Sequence, residues 1–124
     1  MQSQKNMQLI DTNVILRVIL NDIPEQASQA VSIIENGAYT KPEIIAEVVY
    51  VLSGVYSASR EKVKSYIHSI LEVVLCENSE CILYAIDLYA ETSLDFVDCL
   101  LIAYHKINNE TIFSFDKKLN KHLF

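Results

Sequence analysis

No stretch constrains this chain more than Met7-Gln8-Leu9-Ile10-Asp11-Thr12-Asn13-Val14-Ile15-Leu16-Arg17. Met7 to Ile10 has the length and apolarity of a short buried strand, and it stops at an acid. Thr12 and Asn13 follow at once, two good helix N-cap residues. The apolar positions Val14, Ile15, Val18 and Ile19 then recur at helical spacing. The pattern predicts a strand that ends at Asp11 beside the start of a helix, and in open α/β sheets that edge is where ligands bind. A carboxylate there is compensated only in part by a helix N-terminus and solvent.

The same alternation continues down the chain. Pro24 is placed to open a second helix that ends at Asn36-Gly37, and Ala38-Tyr39-Thr40 is a short strand candidate. Further helices are expected from Lys41-Pro42, from Ser59, from about Ser79 to Thr92 and from Leu94 to Tyr104, with a brief strand at Val73 to Cys76. Thr111 to Phe115 reads as the clearest strand after the first; it also ends at an acid, Asp116, and a short basic helix follows. Short strands between long helices predict an α/β fold with a parallel sheet of about four strands, rich in helix. At 124 residues and 51% hydrophobic, with two glycines and two prolines, the chain suits a single domain from 7 to 124. Met1 to Asn6 is polar and reads as a disordered tail.

Composition narrows the function. No apolar run approaches the roughly 18 residues a membrane span needs. Cys76, Cys81 and Cys99 have no CxxC spacing and are expected to be reduced thiols of a cytoplasmic protein. A net charge of −6 argues against a protein that coats nucleic acid with a basic surface, but not against an enzyme that meets it through a metal. Lys117, Lys118 and Lys121 cluster near the C-terminal end, as do Arg60, Lys62 and Lys64 further up. Either group is a solvated face in the simple reading; the first is also a candidate RNA-facing patch.

Four acids are candidate ligands. Asp11 and Asp116 each follow a strand and precede a helix, so each reads as an N-cap or as a ligand. Glu47 stands inside Ile44-Ile45-Ala46-Glu47-Val48-Val49, either as a buried carboxylate in need of a partner or as a partly exposed glutamate on a two-faced helix. Asp95 and Asp98 are three apart on one helix face; Asp95 suits a cap, whereas Asp98, one turn in, suits a cap poorly. Two carboxylates about 5 Å apart repel by roughly 3 kcal/mol at an effective dielectric near 20. Four together would cost several times that, against a total stability of about 5–15 kcal/mol. Such a cluster binds cations or takes up protons. Oxygen-only ligation points to Mg²⁺ or Mn²⁺ rather than Zn²⁺, with Asn13 and Ser114 as auxiliary oxygens. A hard cation with open positions suits phosphodiester hydrolysis by an activated water. His68 and His105, in helices with apolar neighbours, read as structural or exposed.

At this point four segments in order resemble a known family. Leu9-Ile10-Asp11-Thr12-Asn13-Val14, Ala46-Glu47-Val48, Leu94 to Ala103 and Phe113-Ser114-Phe115-Asp116-Lys117-Lys118-Leu119 are similar to the PIN-domain nucleases, most of all to VapC-type toxins of bacterial toxin–antitoxin pairs. The resemblance spans Met7 to about Lys121. It implies a parallel sheet sandwiched by helices and an acidic quartet of Asp11, Glu47, Asp98 and Asp116 holding Mg²⁺ or Mn²⁺. It also implies endoribonuclease activity leaving 5′-phosphate and 3′-hydroxyl ends, an antitoxin protein partner and a homodimer. Asn13 corresponds to the family's asparagine beside the first acid, and Ser114 to its frequent threonine or serine two before the last. The chain stops at Phe124, where relatives commonly continue into a final edge strand, so the outer strand is the element in question. Tyr50, Leu52 and Tyr56 are candidates for an antitoxin groove, against a plain core or dimer role. Two other functions fit the same residues: an idle PIN-like protein-binding module, and a metal-dependent DNA nuclease or phosphatase.

Overall fold

The computed structural model describes residues 7–123; the expected tail Met1–Asn6 lies outside the described residues. Three parallel strands form one sheet in the order β1 (Gln8–Leu9), β2 (Ala38–Thr40) and β3 (Leu75–Cys76). Gln8 and Leu9 pair with Ala38 and Tyr39, and Tyr39 and Thr40 pair with Leu75 and Cys76. Two helices follow each strand: α1 (Thr12–Leu20) and α2 (Pro24–Glu35), α3 (Pro42–Gly54) and α4 (Arg60–Leu71), α5 (Ser79–Glu91) and α6 (Phe96–Asn108). A short α7 (Lys117–Leu123) comes last among the described residues. No helix among them is long and apolar enough to cross a membrane.

The helix boundaries follow local chemistry. Pro24 and Pro42 stand in the first turns of α2 and α3, where a missing N–H costs nothing. The Ser59 hydroxyl accepts from the Lys62 N–H and caps α4. With only two glycines in the sequence, left-handed positions fall mostly to asparagine: Asn21 and Asn109 close α1 and α6 at φ 48° and 59°. Ile82, Ala85 and Ile86 on α5 and Cys99, Ile102 and Ala103 on α6 recur at i, i+3, i+4 spacing, and all are fully buried in the core. The two alanines let these helices approach closely.

Four expectations need correction. The first strand is two residues long and exposed, with Leu9 half in solvent, so it is an edge rather than a buried strand. The brief strand expected from Val73 begins at Leu75. Thr12 and Asn13 do not cap α1; Asp11 does, with extended backbone and its side chain accepting from the Val14 N–H. The fourth strand is absent among the described residues. Thr111 to Phe115 alternates exposed and half-buried residues as a strand does, but joins no ladder. Local bonds take its polar groups instead: Ser114 Oγ accepts from the Asp116 N–H, and Asn120 Nδ2 donates to the Ser114 carbonyl.

Candidate active site

The end of β1 is pinned before the first acid. Ile10 N–H donates to the Tyr39 carbonyl at 2.9 Å, and the Ile10 carbonyl accepts from Thr40 Oγ1 at 3.2 Å. Thr40 is the one fully buried polar residue among those described, and this bond satisfies its hydroxyl. Asp11 therefore leaves a fixed strand end and enters α1 as its cap, 3.1 Å from Val14 N.

Glu47 faces outward. Ile45, Val48, Val49 and Leu52 occupy the buried side of α3, and Glu47 lies roughly opposite them on the helical wheel, exposed. Of the two readings of its apolar flanks, the glutamate on a two-faced helix is the one observed: the flanks turn to the core while Glu47 turns away. Asp11, Asn13 and Glu47 line one shallow hollow between α1 and α3, together with Thr12, Leu16, Ile44 and Val51. Leu52, a groove candidate, is core; Tyr50 and Tyr56 are exposed.

The second pair of acids is organised by α6 and α7. Asp95 occupies the N-cap position of α6 without a side-chain capping bond, and Asp98 stands in its first turn, half-buried. Burial raises the Asp98 carboxyl above its ordinary value of 3.8, and the charges of Asp116 and then Asp95 push it further. Asp116 Oδ1 accepts from the N–H groups of Lys118 at 2.8 Å and Leu119 at 3.2 Å, capping α7. Ser114 fixes the approach to it through the bond from the Asp116 N–H. The side chains of Lys117, Lys118 and Lys121 are exposed on α7.

The acids thus stand as two pairs, Asp11 with Glu47 on one hollow and Asp98 within the field of Asp116. Among the described residues, none of these four nor Asp95 is in an ion pair. No three His, Cys, Asp or Glu side chains among them stand together as a group able to hold a metal ion. A hard dication is commonly held by one or two carboxylates, its remaining positions filled by water and substrate phosphate. Asp98 and Asp116 fit that demand: both offer only oxygen, and the charge of Asp116 adds to burial in raising the Asp98 carboxyl.

A second hollow, on the other flank of α3, is lined by Tyr50, Ser53, Arg60, Tyr89, Asp95, Val97 and Asp98, among others. Arg60, read from the sequence as part of a solvated basic group, is instead half-buried here. Its Nη1 donates at 2.8 Å to the carbonyls of Tyr89 and Leu94, which border the turn leading to Asp95. Backbone carbonyls 29 and 34 positions away leave no trace in side-chain pattern. Two of the three histidines make structural contacts: His68 Nε2 is 2.7 Å from Asp87 Oδ1, and His105 sits between the carbonyls of Glu110 and Leu123. Burial pushes the thiols of Cys76 and Cys99 up to about 11, so neither is a ready thiolate.

Comparison with curated proteins and with solved structures found no match for either. The family model described as PIN domain matches residues 9–122, a span that holds every acid of the candidate site, and the chain belongs to the PIN domain family.

Proposed function

We propose that the chain is a Mg²⁺- or Mn²⁺-dependent endoribonuclease and the toxin of a toxin–antitoxin pair. PIN domains are generally metal-dependent nucleases, so phosphodiester hydrolysis follows from the family. The observation that carries the reading to this chain is Asp98, half-buried at a helix start, with Asp116 and Asp95 as its charged neighbours and, among the described residues, no basic residue paired with any of the three. A fold keeps such a repulsion where a cation relieves it.

Asp98 and Asp116 would hold the metal, with Asp11 and Glu47 facing the same substrate from the neighbouring hollow. Bound there, a divalent cation supplies Lewis-acid activation of water and neutralises charge at the phosphate. The protein's part is positioning: the N-caps at Asp11 and Asp116 orient both carboxylates, and Arg60 fixes the turn before Asp95. Tyr50 and Val97, both exposed beside the Asp98 hollow, offer an apolar rim for an antitoxin.

Single-stranded RNA, single-stranded DNA and a phosphomonoester are to be compared under Mg²⁺ and Mn²⁺, with Asp98→Asn as control. RNA cleavage lost in the variant is the expected result. Turnover of the monoester alone makes the chain a phosphatase, and no metal-dependent stabilisation of the wild type makes it an idle module. Co-expression with the adjacent upstream gene tests the toxin role, where a small co-purifying protein that silences RNase activity is expected.

A further inference from the structure

We propose that Phe113 and Phe115 form a ledge on which bases of a single-stranded nucleic acid stack; this deepens the nuclease reading and rests on it. The two rings are 82% and 92% exposed, beyond any other large apolar side chain described. They lie edge to face with centroids 5.1 Å apart. Rings in such contact share one side of the segment, while Ile112 and Ser114, before and between them, are half-buried. The bonds from Asp116 N–H and Asn120 Nδ2 to Ser114 hold that segment at its centre, so the rings project from a fixed backbone.

Two neighbouring aromatic rings left in water forgo the transfer free energy of burial, which marks a surface that meets something. Charge identifies what. Lys117, Lys118 and Lys121, three of the ten lysines and arginines of a chain with net charge −6, follow Phe115 within six positions and are exposed. Aromatic faces beside a basic track suit single-stranded nucleic acid, because every base has a π-face and every linkage a negative charge. A second copy meeting this patch about a two-fold axis would set the same three lysines against their counterparts. Bases on the ledge would also bring their phosphates to Asp116, the next residue along.

The sequence holds no tryptophan, so Phe115→Trp introduces a single reporter at the ledge. A single-stranded oligoadenylate of about 12 nucleotides is titrated into it with chelator present, beside an abasic strand of the same length and charge. Quenching by the first and not the second is expected. Phe113→Ser with Phe115→Ser is expected to weaken binding of a labelled oligoadenylate at least about fivefold, the low end for one lost stacking partner. As both rings are exposed, the variant's circular dichroism should match wild type. Equal quenching by the abasic strand, or unchanged affinity in the double variant, overturns the ledge; so does a dimer that the double variant dissociates while affinity stays unchanged. The two readings fail separately: quenching without cleavage under Mg²⁺ or Mn²⁺ sinks the nuclease and keeps the ledge. Cleavage and affinity both undiminished in the double variant sink the ledge and keep the nuclease.

Discussion

The Arg60 guanidinium lies 4.0 Å from the centroid of the Tyr89 ring and donates to the Tyr89 carbonyl at 2.8 Å. That carbonyl belongs to the last turn of α5, where no intrahelical N–H remains to meet it. The same nitrogen reaches Leu94, so one side chain at the start of α4 ties the end of α5 to the start of α6. The turn that leads to Asp95 and Asp98 is therefore held by Arg60, a residue 35 and 38 positions earlier in the chain.

Arg60→Ala removes two charge-assisted hydrogen bonds and the contact with the ring. A loss of about 2–3 kcal/mol is expected, read as a lower urea midpoint at unchanged slope. Arg60→Lys should recover little of it, since an ammonium cannot stack flat on Tyr89 while donating to both carbonyls. A lysine variant as stable as wild type would show that charge alone, not the planar fork, holds the turn.

Asp98 sets a pH dependence of definite sign. Its carboxyl titrates higher in the folded protein than its ordinary 3.8, so across that interval the folded state binds more protons than the unfolded one. Stability then falls as pH rises through the window, and the deficit persists at neutral pH. Without metal, Asp98→Asn should melt at a higher temperature than wild type near pH 7, with the gap closing as pH drops towards about 4. Added Mn²⁺ should raise the melting temperature of wild type and leave the variant nearly still. A gap that is constant with pH would remove the carboxyl's charge as its cause.

Asp11 and Asp116 each have a folding role that separates from a ligand role. Both accept backbone N–H bonds at helix starts, and asparagine caps as well as aspartate does. Asp11→Asn and Asp116→Asn should melt within about 2 °C of wild type and cleave no RNA. The alanine variants lose the caps as well, about 1 kcal/mol each, or roughly 4 °C in a domain of this size. Full turnover by either asparagine variant would contradict its place in the site.

What the sequence revealed, and what it hid, divides along one physical line. Local signals were legible: Pro24 and Pro42 in their first turns, Ser59 as a cap, Ala38 to Thr40 as a strand, and the acids placed at helix starts. Signals that need a partner were not. Thr111 to Phe115 has strand composition, but a strand requires a neighbour's backbone, and Ser114 is already engaged by Asp116 and Asn120. For Glu47 the flanks left burial and exposure both open, because adjacent residues in a helix point in different directions and a window of neighbours conceals which. The role of Arg60 depends on carbonyls, which every residue carries.

His105 offers a last case. Its Nδ1 is 2.8 Å from the Glu110 carbonyl and its Nε2 is 3.0 Å from that of Leu123. Carbonyls only accept, so in either contact the ring nitrogen is the donor. Through these contacts α6 holds both the start of the segment bearing Phe113 and Phe115 and the end of α7, whose Leu119 and Leu123 are buried. His105→Ala is expected to cost about 1–2 kcal/mol. The loss should be local: amide exchange in Lys117–Leu123 quickens, while α5 and α6 keep their protection. Asp116 would then lose the ordered N–H groups of Lys118 and Leu119, so RNA cleavage should fall although the acids are intact. Uniform loss of protection across the chain would instead make His105 a general core residue, with no special hold on α7.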